Sequence, residues 1–148
     1  MRTLLLTLHV PGVAAWLGAN FTQLFLVRFY ARQPADARLA WVRATLSLAR
    51  AYYNAAGVVI GVTGVLLVLH GDWSWSSGFI WVGVVVLVIG GVLGAAGFIP
   101  TATRQVAALE AGDAATESRL GRRTLVLAAI DTSLLIVAVL AMVHKWAA

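Results

Sequence analysis

The sequence contains no cysteine. Disulfide bonds, iron–sulfur clusters and any chemistry that needs a thiolate are therefore excluded. Cysteine usage is the ordinary sequence indicator of redox compartment, so localisation has to be inferred from other features.

Charged residues are also scarce. Asp, Glu, Lys and Arg make up 11% of the chain, hydrophobic residues make up 61%, and the formal net charge is +5. A soluble protein with this charge would be a candidate for nucleic-acid binding. Here the mean hydropathy is +0.88, and the basic residues flank long apolar runs, where they report orientation in a bilayer. We therefore expect a membrane protein without a nucleic-acid partner.

The 148 residues form four long apolar segments separated by short polar ones. One helix needs about 20 predominantly apolar residues to cross the hydrocarbon core. The first segment is too long for a signal peptide, and no cleavage site with a polar mature domain follows it. The sequence predicts one all-α membrane domain over residues 1–148. We expect four transmembrane helices in an antiparallel up-and-down bundle, at about residues 4–30, 39–69, 79–103 and 122–144.

The distribution of Lys and Arg predicts the orientation. Nine of these residues lie in or beside the first and third connections: Arg28, Arg32, Arg38, Arg43, Arg50, Arg104, Arg119, Arg122 and Arg123. The other side has only Arg2 and Lys145. Short loops rich in Lys and Arg stay in the cytoplasm. We therefore expect a multi-pass protein of the inner (plasma) membrane, with cytoplasmic polar loops and both termini outside.

Residues that favour turns and caps predict where the helices begin and end. Asp36 is the expected N-cap of a second helix that begins near Ala37 and continues unbroken to Leu69. The polar stretch after the third apolar segment is expected to continue as helix, to break near Gly112 and to restart at about Ala114.

Four polar or aromatic residues share one face of the first helix. His9, Trp16, Asn20 and Gln23 are separated by offsets that return close to the same face. A polar stripe on a membrane helix points towards protein, a cofactor or water, because lipid would leave it unsatisfied. His9 is therefore either a buried imidazole bonded to a neighbouring helix or an axial or metal ligand in the bundle.

Small residues form a second stripe, on the third helix. The stripe consists of Gly83, Gly90, Gly94, Gly97 and Thr101. It would leave room for a flat macrocycle beside His9, and it equally suits close helix packing.

The sequence has three histidines, His9, His70 and His144, and the expected topology places all three towards the outer side. Three imidazoles at one depth could bind a metal ion or a haem. Helical phase argues against the convergence of all three. His70 lies about half a turn from the face of Gly57 and Gly61 on the second helix, and His144 lies well off the face of Asp131 on the fourth. A metal site made of these histidines is the weaker alternative to interfacial roles for His70 and His144.

Asp131 is the one acidic residue inside an apolar segment. An intramembrane carboxylate is costly and is a functional candidate by default. Its expected depth matches Asn54 on the second helix, and Arg50 could reach up to pair with it. We expect a structural Arg50–Asp131 ion pair, with proton relay or substrate binding as the alternatives. The same depth argument separates His9 from the Arg50–Asp131 region.

The pattern His9-x6-Trp16-x-Gly18 early in the first helix resembles a superfamily of small bacterial four-helix membrane proteins. It includes HemJ-type protoporphyrinogen oxidases, CopD-type copper-resistance proteins and an uncharacterised family of integral membrane proteins, which is the most similar in layout. In HemJ-type proteins the first-helix histidine is a haem ligand, and the resemblance implies that role for His9. Their second ligand is a lysine in a later span, whereas the one lysine here is Lys145.

Two functional hypotheses follow, and a third, transport of a small solute or proton through Asp131, is less favoured because four spans alone make a thin pathway unless the protein oligomerises. The first is a site for haem b or a metal ion centred on His9, with Trp16 and Asn20 beside it. The second is a non-catalytic accessory subunit, in a homo-oligomer or a larger membrane complex, whose polar stripe and glycines serve helix packing. No Ser–His–Asp set, paired-carboxylate site or phosphate-binding loop is recognisable, so the sequence indicates no enzyme class.

Overall fold

The computed structural model describes residues 1–71 and 73–145. In this part of the chain the elements are helices and their connections: α1 (Arg2–Tyr30), α2 (Ala35–Arg50), α3 (Tyr52–Leu69), α4 (Gly78–Val92), a π-helical segment (Leu93–Phe98), α5 (Ile99–Glu110) and α6 (Ala114–His144). Four segments of the described chain are long and apolar enough to cross a membrane: Arg2–Tyr30, Ala35–Leu69, Gly78–Glu110 and Ala114–His144. The prediction of an all-α protein with four candidate membrane spans is confirmed.

The second span begins and continues differently from the prediction. Pro34 occupies the N-cap position, and Asp36 lies within the first turn without a capping hydrogen bond. The prediction of Asp36 as N-cap was therefore wrong. Proline pre-sets a φ compatible with helix entry, and an acidic residue in the first turn is favoured by the helix dipole. The helix is also not continuous, because Ala51 has φ −109° and ψ −60° and separates α2 from α3.

The break near Gly112 is confirmed. Helix α5 ends at Glu110, and Gly112 has φ +69°, a left-handed conformation that glycine adopts without strain. Asp113 then caps α6 by accepting a hydrogen bond from the Thr116 backbone N–H at 3.0 Å. The bonds from Thr116 hold the pKa of the Asp113 carboxyl below its usual value.

The helices do not pack on their neighbours to equal extents. Helix α1 packs mainly on α3, whereas α4 and α5 pack on α6. Helix α2 crosses to α5 and contacts α1 less. Contacts between α3 and α4 are few, and Gly61 lies against Leu87 there. An interior space is left between α1, α2, α6 and the region where α4 passes into the π-helical segment.

Two ion pairs hold α2 in this position. Arg38 makes a bidentate contact with Glu117, at 2.8 Å and 3.0 Å, and Arg43 pairs with Glu110. The two acidic partners, Glu110 and Glu117, lie on either side of the connection between α5 and α6. The two arginine-rich connections of the chain therefore lie at the same end of the molecule, which we call the arginine-rich end.

Candidate functional site

The predicted stripe on α1 faces the protein interior. The side chains of His9, Trp16 and Asn20 have exposed fractions of only 8%, 6% and 6%. Gln23, one turn further along, is half-buried. Large apolar residues elsewhere on α1, such as Leu8, Phe21 and Phe25, are exposed and suit contact with lipid. The interpretation of this face as protein-facing is confirmed.

The structure joins this stripe to Asp131. Oδ2 of Asp131 accepts hydrogen bonds from Trp16 Nε1 at 3.0 Å and from Asn20 Nδ2 at 2.7 Å. The carboxylate is buried, with an exposed fraction of 5%. Trp16 and Asn20, predicted to form a site with His9, instead belong to the site of Asp131.

The predicted Arg50–Asp131 pair was wrong. Arg50 is exposed at the last position of α2, directly before the break at Ala51. In a regular helix the Arg50 side chain would share the Asn54 face, but the irregular backbone at Ala51 lies between the two residues. Asn54 is exposed as well, and its side chain donates a hydrogen bond to the Arg50 carbonyl at 2.7 Å.

The hydrogen bonds continue from Asn20 to α3. The Tyr53 hydroxyl donates to Asn20 Oδ1 at 2.8 Å, and Gln23 Nε2 donates to the Tyr53 oxygen. The rings of Trp16 and Tyr53 also meet edge to face, with centroids 5.8 Å apart. We call Trp16, Asn20, Gln23, Tyr53 and Asp131 the polar floor. Sequence reasoning missed Tyr53; its position beside Asn54, where the second span becomes fully apolar, was the available signal.

Gly90 on α4 makes room for this arrangement. A Cβ atom at position 90 would lie 2.9 Å from Cζ2 of Trp16 and 3.4 Å from Oδ1 of Asp131. The first distance is shorter than real Cβ atoms tolerate. The indole can therefore lie between α4 and the carboxylate only because position 90 has no side chain.

The polar floor forms one end of a cavity of about 720 Å³. Its walls come from α1, α2, α3, α4, the π-helical segment, α5 and α6. The aromatic lining residues are Trp16, Tyr30, Trp41, Tyr53 and Phe98. Gly91 and Gly94 also line it, and a Cβ atom at either position would have no neighbour within 4 Å. Both glycines therefore border open space.

Charged residues border the cavity towards the arginine-rich end. Arg28 and Arg122 line it, and both are exposed. The Arg38–Glu117 pair also lines it, with side-chain exposed fractions of 29% and 16%. Arg28 lies eight residues from Asn20 and Arg122 nine residues from Asp131, about 12–14 Å along the helices. The cavity thus has a carboxylate at one end and free guanidinium groups at the other.

One oxygen of Asp131 has no partner within the chain as described. Both hydrogen bonds to the carboxylate end on Oδ2, and residues 1–71 and 73–145 supply neither a hydrogen bond nor an ion pair to Oδ1. Asp131 itself lines the cavity. Oδ1 of Asp131 is therefore an acceptor available to a molecule in the cavity.

His9 lies apart from this cavity. Its Nδ1 is 2.9 Å from the Thr63 hydroxyl, which in turn donates to a backbone carbonyl of α3. A Cβ atom at Gly64 would lie 3.3 Å from Cε1 of His9, so α3 packs closely on the ring. His9 lines neither the large cavity nor a void of about 40 Å³ near Trp16. These surroundings do not fit a macrocycle on His9.

The three histidines are not brought together. His70 is exposed, with Nδ1 3.1 Å from the carbonyl of Leu66, and His144 is exposed near the end of α6. Within the described residues, no three His, Cys, Asp or Glu side chains are close enough to hold a metal ion. The described residues therefore give no support to the weaker alternative of a metal site made of His9, His70 and His144, which stays a prediction.

Comparisons with known proteins leave the site to be interpreted from its own geometry. No family model, curated protein or solved structure matches this chain.

Proposed function

We propose that this multi-pass membrane protein binds a small, largely apolar molecule within the bilayer, in the cavity above the polar floor. The observation that carries the proposal is a cavity of about 720 Å³ lined by the buried residue Asp131, whose Oδ1 accepts no hydrogen bond from the described residues. Small-molecule sites have volumes of about 300–1,000 Å³, mostly apolar walls and a few polar groups that fix orientation. An intramembrane carboxylate marks a functional site more often than a structural one.

The walls support access from the lipid. Val58 on α3 and Gly91 on α4 both line the cavity, and both are exposed, Val58 at 64%. The cavity therefore reaches the surface of the bundle between these helices, where contacts are few. A molecule dissolved in the bilayer would enter there without crossing the charged end.

We further propose an antiparallel up-and-down bundle in the inner (plasma) membrane, with both termini outside. The nine basic residues of the first and third connections support this orientation. The contact between Arg38 and Glu117 supports it too, because it joins those two connections at one end. In this orientation the cavity lies in the cytoplasmic half of the bilayer.

Gly94→Leu tests the proposal, with Gly18→Leu as its matched control. Leucine at position 94 would occupy open space in the cavity, whereas Gly18 faces outwards on α1, also with no atom within 4 Å of a Cβ. Both exchanges favour helix, so neither should unfold the protein. Purified protein in lipid nanodiscs is dialysed against radiolabelled triphenylphosphine oxide, a neutral apolar compound. We expect saturable binding to the native protein and Gly18→Leu, and about tenfold weaker binding to Gly94→Leu.

Equal affinity of all three proteins would contradict the proposal. The proposal would also be contradicted if this compound, tetraphenylphosphonium and tetraphenylborate all partitioned into protein-containing nanodiscs no more than into empty ones. Both results would leave the cavity as a packing feature. An accessory role in a homo-oligomer or larger complex would then be the better explanation, and it predicts co-purifying partners after mild solubilisation.

The haem b or metal role of His9 stays a prediction from the sequence and its resemblance. The bond between His9 and Thr63 and the absence of His9 from the cavity lining argue for a structural histidine. An absorption spectrum and elemental analysis of the purified protein test the prediction. A Soret band that disappears in His9→Ala would support haem, and a colourless, metal-free protein would contradict both versions.

A further inference from the structure

We propose that the molecule bound in the cavity is a lipophilic organic cation whose charged centre lies beside Oδ1 of Asp131. This inference rests on the proposed function, because it names the chemical class of the ligand for the same cavity. It follows from three independent features: the charge of the polar floor, the aromatic walls and the position of the arginines.

The polar floor contains a carboxyl group, and no positively charged side chain of the described residues pairs with it. Trp16 and Asn20 are neutral donors, and both contact Oδ2. Within the described residues, the ion pairs join Arg38 to Glu117 and Arg43 to Glu110, and none includes Asp131. A carboxylate in a low-dielectric interior is strongly destabilised unless a counter-charge lies close to it. A cation in the cavity would supply that charge.

The walls suit the same ligand class. Five aromatic rings line the cavity: Trp16, Tyr30, Trp41, Tyr53 and Phe98. Tyr30 and Trp41 are stacked, with centroids 4.5 Å apart and an interplanar angle of 10°. That stack lies about 15 Å along α1 from Asn20, so Trp16 and Tyr53 are the rings close to Asp131. Aromatic rings attract cations, and aromatic enclosures are a general means of binding quaternary ammonium groups. Rings also provide apolar surface for the uncharged part of the molecule.

The arginines lie where they do not cancel this preference. Arg38 is paired with Glu117, and Arg28 and Arg122 are exposed, about 12–14 Å from the floor along their helices. Exposed guanidinium groups near a membrane surface remain hydrated. The arginines therefore lie away from Asp131, and an anion at that end of the cavity would lie against its carboxyl group. A cation entering from the lipid between α3 and α4 would not have to pass the arginines.

Three bulky aryl compounds differ in charge, and the two ions among them match in size and shape. Tetraphenylphosphonium is cationic, triphenylphosphine oxide is neutral and tetraphenylborate is anionic. Each is dialysed against the full-length protein in nanodiscs of zwitterionic lipid, with empty nanodiscs subtracted. We expect saturable binding of the cation about tenfold or more tighter than of the neutral compound, and no saturable binding of the anion.

Asp131→Asn tests whether Asp131 causes the preference for the cation, and Asp36→Asn is the control with the same change of formal charge. Asp36 is exposed in the first turn of α2, away from the cavity lining. In Asp131→Asn the affinity for the cation should fall to within about threefold of that for the neutral compound. Asp36→Asn should keep the full preference. Helix content and thermal transition are measured for each variant, and the comparison of three compounds on the native protein does not depend on either variant folding.

The outcomes separate this inference from the proposed function. Saturable binding of the neutral compound that Gly94→Leu weakens, without preference for the cation, overturns the cation inference and leaves the proposed function intact. Tighter binding of the anion, or an unchanged preference in a folded Asp131→Asn variant, also overturns it. Absence of saturable binding by all three compounds overturns both.

Discussion

Asp131 lies against an indole ring because position 90 has no side chain. The carboxylate on α6, Trp16 and Asn20 on α1 and Gly90 on α4 meet at one point, so three helices depend on one glycine for their closest approach. Small residues let membrane helices approach closely. Here the indole ring of Trp16 fills the space left by Gly90 and donates a hydrogen bond to the buried carboxyl group of Asp131.

Gly90→Ala should therefore destabilise the protein. The new Cβ atom would lie 2.9 Å and 3.1 Å from two carbons of the rigid Trp16 ring, so the ring or α4 must move. Overpacking of this kind costs about 1–3 kcal/mol. We expect a thermal transition several degrees lower in detergent, measured by tryptophan fluorescence.

Gly91→Ala is the matched control for that substitution. Its Cβ atom would meet no atom within 4 Å, and alanine is favoured over glycine in helices by about 1 kcal/mol. The thermal transition temperature of Gly91→Ala should equal that of the native protein or be slightly higher. Equal losses in both variants would contradict the role given to Gly90.

At the scale of elements, α2 decides the shape of the site. The break at Ala51 lets it leave the direction of α3, and its pairing with α5 and α6 fixes where it goes. Val42, Thr45 and Ala49 of α2 then face the cavity, together with Trp41. Had α2 continued α3 as a straight helix, this wall would not have formed.

The Arg38–Glu117 pair should stabilise the position of α2. Both side chains are less than one third exposed and their contact is bidentate, a geometry that contributes about 1 kcal/mol. Arg38→Glu and Glu117→Arg should each lower the thermal transition, and the double exchange should restore most of the loss. A double-mutant cycle measures this coupling.

Arg43 and Glu110 provide the control pair for this cycle. Their side chains are 58% and 49% exposed, so the same exchanges should change stability by no more than about 0.5 kcal/mol. A coupling energy that is larger at Arg43–Glu110 than at Arg38–Glu117 would contradict the importance assigned to the less exposed Arg38–Glu117 pair.

At the scale of the whole molecule, the lack of cysteine allows a direct test of orientation. Ser76 lies in the connection between α3 and α4, Ala111 lies between α5 and α6, and both are exposed. In intact cells a membrane-impermeant maleimide should label Ser76→Cys and should label Ala111→Cys only after lysis, because loops rich in Lys and Arg stay in the cytoplasm. The reverse pattern would place both termini inside and the cavity in the outer half of the bilayer.

Helical periodicity alone predicted much of the site's composition. Trp16 and Asn20 share a face that cannot contact lipid, and Asp131 is too costly in a bilayer to be incidental. These arguments concern one helix at a time, so they hold whatever the packing. They could not identify the partners, and the pairing of Asp131 with Arg50 failed for that reason.

The sequence by itself determined an all-α protein with four candidate membrane spans, because apolar length and the lack of charge leave no other way to satisfy the backbone. It also determined which face of α1 is polar. Only the tertiary structure decided that Asp131 meets Trp16 and Asn20, that His9 bonds to Thr63 instead, and that a cavity lies beside the floor. The contacts join α1 to α6 and to α3, and one wall of the cavity comes from α2, which packs on α5. Such relations arise between helices distant in sequence, and no local pattern encodes them.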